Sequence, residues 1–261
     1  MSSRLFWPLA LIVMGVLFLL DNLGYLPGDA WGYIWPVALI LLGLSVLLGW
    51  RAGPGEVVED SLSLEGATAA SVTFRYGAGQ LDVRGGAAPG LLFDGEFRGG
   101  VDKHVGQGAN GPDVVLAMRA GDWTFPWGWP GRRFEWRVRL ASEPALNLVL
   151  ETGASAATLD LSQLRVTSLR LQTGASSTRL VLPARAGYTR ARVNSGAASV
   201  DITVPVGVAA VIHGQVSVGS LDVDRRRFPQ RGAGYQSDDY EGAANRVELD
   251  IDGGVGSVRV H

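Results

Sequence analysis

The sequence predicts a membrane-anchored all-β protein: a two-helix transmembrane hairpin followed by a β-solenoid of stacked strand-turn-strand repeats. Three observations predict it. Residues 6–20 (FWPLALIVMGVLFLL) and 34–48 (IWPVALILLGLSVLL) carry no charge and repeat each other at a shift of 28, which superposes Trp7 on Trp35, Pro8 on Pro36 and Gly15 on Gly43. After Arg51 the texture changes to short alternating stretches, many glycines and mixed charge. Within that part a small-residue segment recurs at Gly153, Gly174 and Gly196, with separations of 21 and 22.

The hairpin comes first. Spans at about residues 5–20 and 34–50 have a length that approaches the roughly 30 Å hydrocarbon core at about 1.5 Å per helical residue. Trp7, Trp31, Trp35 and Trp50 sit near the span ends, where an amphipathic ring prefers the membrane interface. Pro8 and Pro36 fall in the first helical turn, which has no donor to lose. Gly15 and Gly43 suit close helix packing in lipid. No small-residue cleavage pattern follows Leu20-Asp21-Asn22, which argues against a signal peptide. Arg4 and Arg51 flank the pair while the connection holds Asp21 and Asp29 and no basic residue. The positive-inside rule therefore puts both termini on one side, the cytoplasmic one, of a bacterial cytoplasmic membrane.

Composition sets further bounds. A net charge of −2 over 261 residues gives no reason to expect nucleic acid as a partner. With Cys at 0 there is no disulfide, thiolate metal site or cysteine nucleophile. Residues 51–60 (RAGPGEVVED) read as a linker, which leaves 61–261 for the β domain.

The repeat is then legible copy by copy. ETGASAATLDLS from Glu151, QTGASSTRLVLP from Gln172 and NSGAASVDITVP from Asn194 align, with fainter copies at Arg75, Gln215 and Gly253. Leu148/Leu150, Leu169/Leu171 and Ala191/Val193 form one expected inward ladder; Leu159/Leu161, Leu180/Leu182 and Ile202/Val204 form the other. The glycines are expected to supply a positive φ or a close backbone approach. Pro183 and Pro205 end strands. A period near 20 residues marks a stack whose units bury their apolar faces only against neighbours. An antiparallel sandwich is the alternative.

The duplicated W-P-x-A-L-I-x-x-x-G hairpin resembles the transmembrane region shared by bacterial LiaI and LiaF proteins. The strand-turn repeats, and the ending GAGYQSDDYEGAANRVELDIDGGVGSVRV, resemble the β-solenoid "toastrack" domain of LiaF-type proteins. The resemblance implies a non-enzymatic regulator of the cell-envelope stress response that restrains a sensor histidine kinase, with the lipid bilayer and that kinase or another membrane protein as partners. It brings no catalytic residue, cofactor or metal. The second functional class is a structural or adhesive scaffold that presents its surface to wall polymer or lipid.

One segment stands apart. Asp122–Trp136 (DWTFPWGWPGRRFEW) holds Trp123, Trp127, Trp129 and Trp136, interleaved with Phe125, Arg132 and Arg133. Three readings stay open: a cap on the core, an interface with membrane or protein, and a stacking site for a ligand. Trp123, Phe125, Trp127, Trp129, Arg132 and Arg133 form the candidate interaction surface. Elsewhere the bland readings prevail. Arg225-Arg226-Arg227 with Arg231 is shorter than a polybasic lipid site. Asp222/Asp224, Asp238/Asp239 and Asp250/Asp252 fall short of a calcium ligand set. His104, His213 and His261 show no metal spacing. The serines lack a G-x-S-x-G context.

Overall fold

The computed structural model describes residues 57–108, 111–118 and 134–261, all strands and connections. In chain order the strands are β1 Val57–Ser63, β2 Ala69–Gly85, β3 Leu91–Arg98, β4 Asp102–Gly108, β5 Gly111–Ala117, β6 Glu135–Leu140, β7 Ala145–Asp160, β8 Arg165–Val181, β9 Tyr188–Thr203, β10 Ala209–Val223, β11 Gln230–Arg231, β12 Gly234–Gln236 and β13 Arg246–Val260. The transmembrane repeat, including Trp7, Pro8, Gly15, Trp35, Pro36 and Gly43, lies outside the described residues.

Six strands, of 15 to 17 residues each, carry the six sequence copies. They pair in parallel in the order β2-β7-β8-β9-β13-β10. The two predicted ladders run straight across them. Val72, Leu148, Leu169, Ala191, Leu249 and Ile212 align in one row, and Val83, Leu159, Leu180, Ile202, Val260 and Val223 in another. All twelve are buried in one apolar cluster. Burying each such Leu, Ile or Val stabilises by about 1.5–3 kcal/mol relative to exposure, so a row gains with every strand added.

Each copy runs as one continuous strand through its small-residue segment. In β7, Leu146, Leu148, Leu150 and Thr152 point inward, then Gly153 and Ala154 are both exposed, and Ser155, Ala157 and Leu159 resume. Two successive outward residues switch the inward set from even to odd positions. Of the two roles open to the glycines, close approach is the one used. A Cβ on Gly153 would lie 2.4 Å from the Gly77 oxygen, and one on Gly174 or Gly196 would lie 3.1 Å from the oxygen of the copy before it.

One boundary and one neighbour are set by the structure. Strand β1 opens at Val57, so residues 57–60 belong to the sheet and not to the linker; the charges Glu59 and Asp60 sit on a strand exposed enough to carry them. The last copy, at Gly253, does not follow the copy at Gln215 but stands between β9 and β10. Opposite charges meet at that place. Arg190 meets Glu248 at 3.1 Å and Arg192 meets Asp250 at 3.5 Å across β9–β13, while Arg259 meets Asp222 at 3.6 Å across β13–β10. His261 Nδ1 lies 3.3 Å from Asp201. Cross-strand pairs of opposite sign favour one neighbour and one register over others.

One of these pairs has a pH signature. The Tyr188 hydroxyl and then the Arg190 guanidinium donate to Glu248 and hold its carboxyl below the usual range. A depressed carboxyl contributes stability above its unfolded pKa and loses it as pH falls through the folded value. Acidification below the ordinary glutamate range should therefore speed hydrogen exchange along β9 and β13, modestly because the pair is partly exposed. Glu248→Gln should remove that dependence; an unchanged acid response in the variant would assign it elsewhere.

The stack is closed at its first strand by shorter ones. β5 runs parallel to the first part of β2, from Ser71–Asp113 to Arg75–Ala117, and β6 to the second part, from Gln80–Glu135 to Gly85–Leu140. β3 pairs antiparallel with β6, β1 with β3, and β4 with β5.

Candidate functional site

The residues that flank the tryptophan segment, Met118 and Phe134, both bond to β2 at one gap. The Met118 amide donates to the Arg75 oxygen at 2.9 Å, and the Gln80 amide donates to the Phe134 oxygen at 2.9 Å. Met118 and Phe134 thus flank the gap between β5 and β6, opposite Tyr76–Gly79. Gly79 sits at φ 116, and a Cβ there would lie 2.3 Å from the Phe134 oxygen; only glycine lets the returning chain come so close.

Aromatic rings brace the return point. Trp136 is fully buried, 5.0 Å from the Tyr76 ring and edge-on to Phe97 at 5.1 Å. Phe93 packs edge-on to Phe97 at 6.4 Å. The Tyr76 hydroxyl donates to the Gln80 oxygen at 2.8 Å, and burial holds the phenol far above its usual pKa, so it remains a neutral donor. The sequence segment is therefore divided. Trp136 is core, as the cap reading expects of it, whereas Trp123, Phe125, Trp127, Trp129, Arg132 and Arg133 lie outside the described residues.

The chain also enters the domain at this corner. Val57, the first described residue, aligns with Arg98, Arg98 with Glu135, and Glu135 with Gln80. Val57 and the return of residues 119–133 are thus two strands apart, roughly 10 Å at about 4.8 Å per strand. Between them lies a shallow notch lined by Val57, Glu96, Arg98, Glu135 and Arg137. Its ions pair among themselves: Arg98 with Glu135 at 3.7 Å, Arg137 with Glu96 at 3.5 Å, and Arg137 with Glu135. Small-molecule pockets hold roughly 300–1,000 Å³, against about 10 Å³ here, so the notch is a rim feature of a surface.

The other singled-out groups are dispersed. Arg227 donates to the oxygens of Val204, Pro205 and Val208 and stacks 5.0 Å over Phe228. Burial lowers its pKa; it clamps a loop, a role that the run Arg225-Arg226-Arg227 does not announce. Arg231 pairs with Asp238 at 2.7 Å. Among the described residues no three His, Asp or Glu side chains gather as metal ligands would.

Residues 52–203 match the family described as the N-terminal domain of toast_rack, DUF2154. The chain belongs to the toast-rack family. Residues 5–47 match the LiaI-LiaF-like transmembrane region, and the two matches in this order make it a LiaF-like, membrane-anchored toast-rack protein. No curated protein matches the chain. Among solved structures, a candidate cell adhesion protein from Clostridium sporogenes superposes with a TM-score of 0.70 at 17% identity, covering 78% of this chain and 98% of that one. A candidate adhesin from Bacteroides fragilis covers 79% and 97% at 6% identity with a TM-score of 0.32, too low to carry an argument. The first likeness shows that the toast-rack fold is shared, and nothing about activity.

Proposed function

We propose that this toast-rack protein is a non-enzymatic regulator or sensor in the bacterial cell-envelope stress response, acting through protein contacts of its β domain. Two transmembrane helices would anchor it with both termini in the cytoplasm, and a sensor histidine kinase or another membrane protein would be its partner. The β domain is read as a toast-rack solenoid, supported by its in-register parallel strands. One observation carries the functional reading. The strand that follows the apolar hairpin and the roots of the tryptophan segment share one corner of the sheet. The indole and guanidinium groups of that segment suit a membrane interface or the centre of a protein contact.

Replacing Trp127 and Trp129 by Ala is expected to leave the melting of the β domain unchanged while abolishing liposome binding and pull-down of the kinase. Intact binding with intact melting would remove the segment from the function. A drop of several kcal/mol in stability, as core Trp→Ala changes give, would make it a core cap.

The second reading, a structural or adhesive scaffold, is favoured by the adhesion protein that shares the fold. Sidedness separates the two. Protease added to intact cells should spare residues 60–261 and should cut them in inverted vesicles if the domain is cytoplasmic; the reverse pattern supports a scaffold facing the wall.

A further inference from the structure

The outer edges of this sheet are not treated alike. The chain's single lysine, Lys103, guards β1: its Nζ donates to Asp60 at 2.6 Å and to the Ser61 oxygen at 3.0 Å. A lysine on an edge strand is a common defence against pairing with another chain. At the far end β10 has no such guard. Among the described residues its outer side is paired only at Val211 and Ile212, by β12, with Ser237 bonded to Ala210 beside them and Gly234 standing over His213. From Gly214 to Asp222 the strand pairs with β13 alone. That stretch, GQVSVGSLD, has no Lys, Arg or Pro, and its one carboxylate faces Arg259 at 3.6 Å. Val218 is 63% exposed and points outward, as Val255 beside it on β13 does at 55%, so the open feature of the edge is its unpaired backbone. A repeat stack ordinarily ends in a polar cap; among the described residues this one ends in an open backbone edge.

We propose that this edge is the contact between two copies of the chain, whose β10 strands pair antiparallel about a two-fold axis at Val218. The uncovered stretch is centred on that residue, which is what an isologous contact requires. Val218 then meets its own copy, Val216 stands opposite Ser220 of the partner copy, Gln215 opposite Leu221, and Gly214 opposite Asp222. The only ionised side chain in the stretch thus faces a glycine, and no like charges oppose each other. The axis interchanges the part of β10 before Val218 with the part after it, so each open backbone segment supplies the hydrogen bonds that the other lacks.

The absence of cysteine makes the test direct. Full-length Val218→Cys in native membranes, oxidised with diamide, should give a covalent dimer on a non-reducing gel, whereas Val206→Cys, at a residue 97% exposed on a loop, should give little. Val218→Arg sets two guanidinium groups on the axis and should weaken the two-copy species roughly tenfold or more in sedimentation. Its far-UV circular dichroism should not change, because the side chain is exposed. The proposal is overturned if Val218→Cys cross-links no better than Val206→Cys, if Val218→Arg keeps the two-copy mass, or if the wild-type chain sediments as one copy.

Discussion

Deleting residues 245–261 is expected to destroy the cooperative fold of the β domain, not merely to shorten it. Strand β13 stands between β9 and β10 and pairs with both along their lengths. Its Val247, Leu249, Ile251, Val258 and Val260 are all buried. At about 1.5–3 kcal/mol each their loss is comparable to the whole net stability of a domain, about 5–15 kcal/mol. β10 would also lose the partner along which it is laid and keep only its short contact with β12. Limited proteolysis of the truncated chain should therefore cut freely between residues 205 and 244. If that region stays as resistant as in the full chain, the inserted position of β13 is wrong.

Leu180→Ala should cost about 2–5 kcal/mol, as a large-to-small change in a packed core does. Leu180 is fully buried, with Leu159 in register on one side and Ile202 on the other, so neither neighbour can collapse into the space without breaking its own row. Arg179 points to solvent and aligns with Thr158 and Asp201; its replacement by Ala should stay within about 0.5 kcal/mol. Pulse proteolysis of the two variants in urea gives both numbers. Equal costs would mean that the strand phase is reversed.

The inward ladders could be read from sequence because period-two alternation and the repeat of the glycines agreed with each other. Leu148, Leu169 and Ala191, or Leu159, Leu180 and Ile202, are placed by local pattern alone. Neighbour choice was not legible in the same way. The copy at Gly253 follows a long connection, residues 224–245, and at its seat beside β9 Arg190, Arg192 and Asp222 meet Glu248, Asp250 and Arg259, pairings that no local window contains. At the candidate site the clustering of aromatics hid a division. Trp136, Val138 and Leu140 alternate with Glu135, Arg137 and Arg139, and that alternation already marks β6 as a half-buried strand. Counting indoles placed Trp136 with Trp127 and Trp129 although its phase belongs to the core. The notch at Val57 was illegible because its lining comes from β1, β3 and β6, far apart in the chain.

The place of β13 also sets an order of events during synthesis. Strand β10 leaves the ribosome before the strand that must separate it from β9, by the length of the connection 224–245. At roughly 5–20 residues per second that interval lasts about one to a few seconds, far longer than the microseconds in which strands first pair. Any early pairing of β10 directly onto β9 would have to open again before the last strand could enter. Arg190 and Arg192 on β9 meet no carboxylate on β10, where Val211 and His213 take the places that Glu248 and Asp250 occupy on β13. The early pairing is thus the weaker one, and the place beside β9 stays open to residues 246–260.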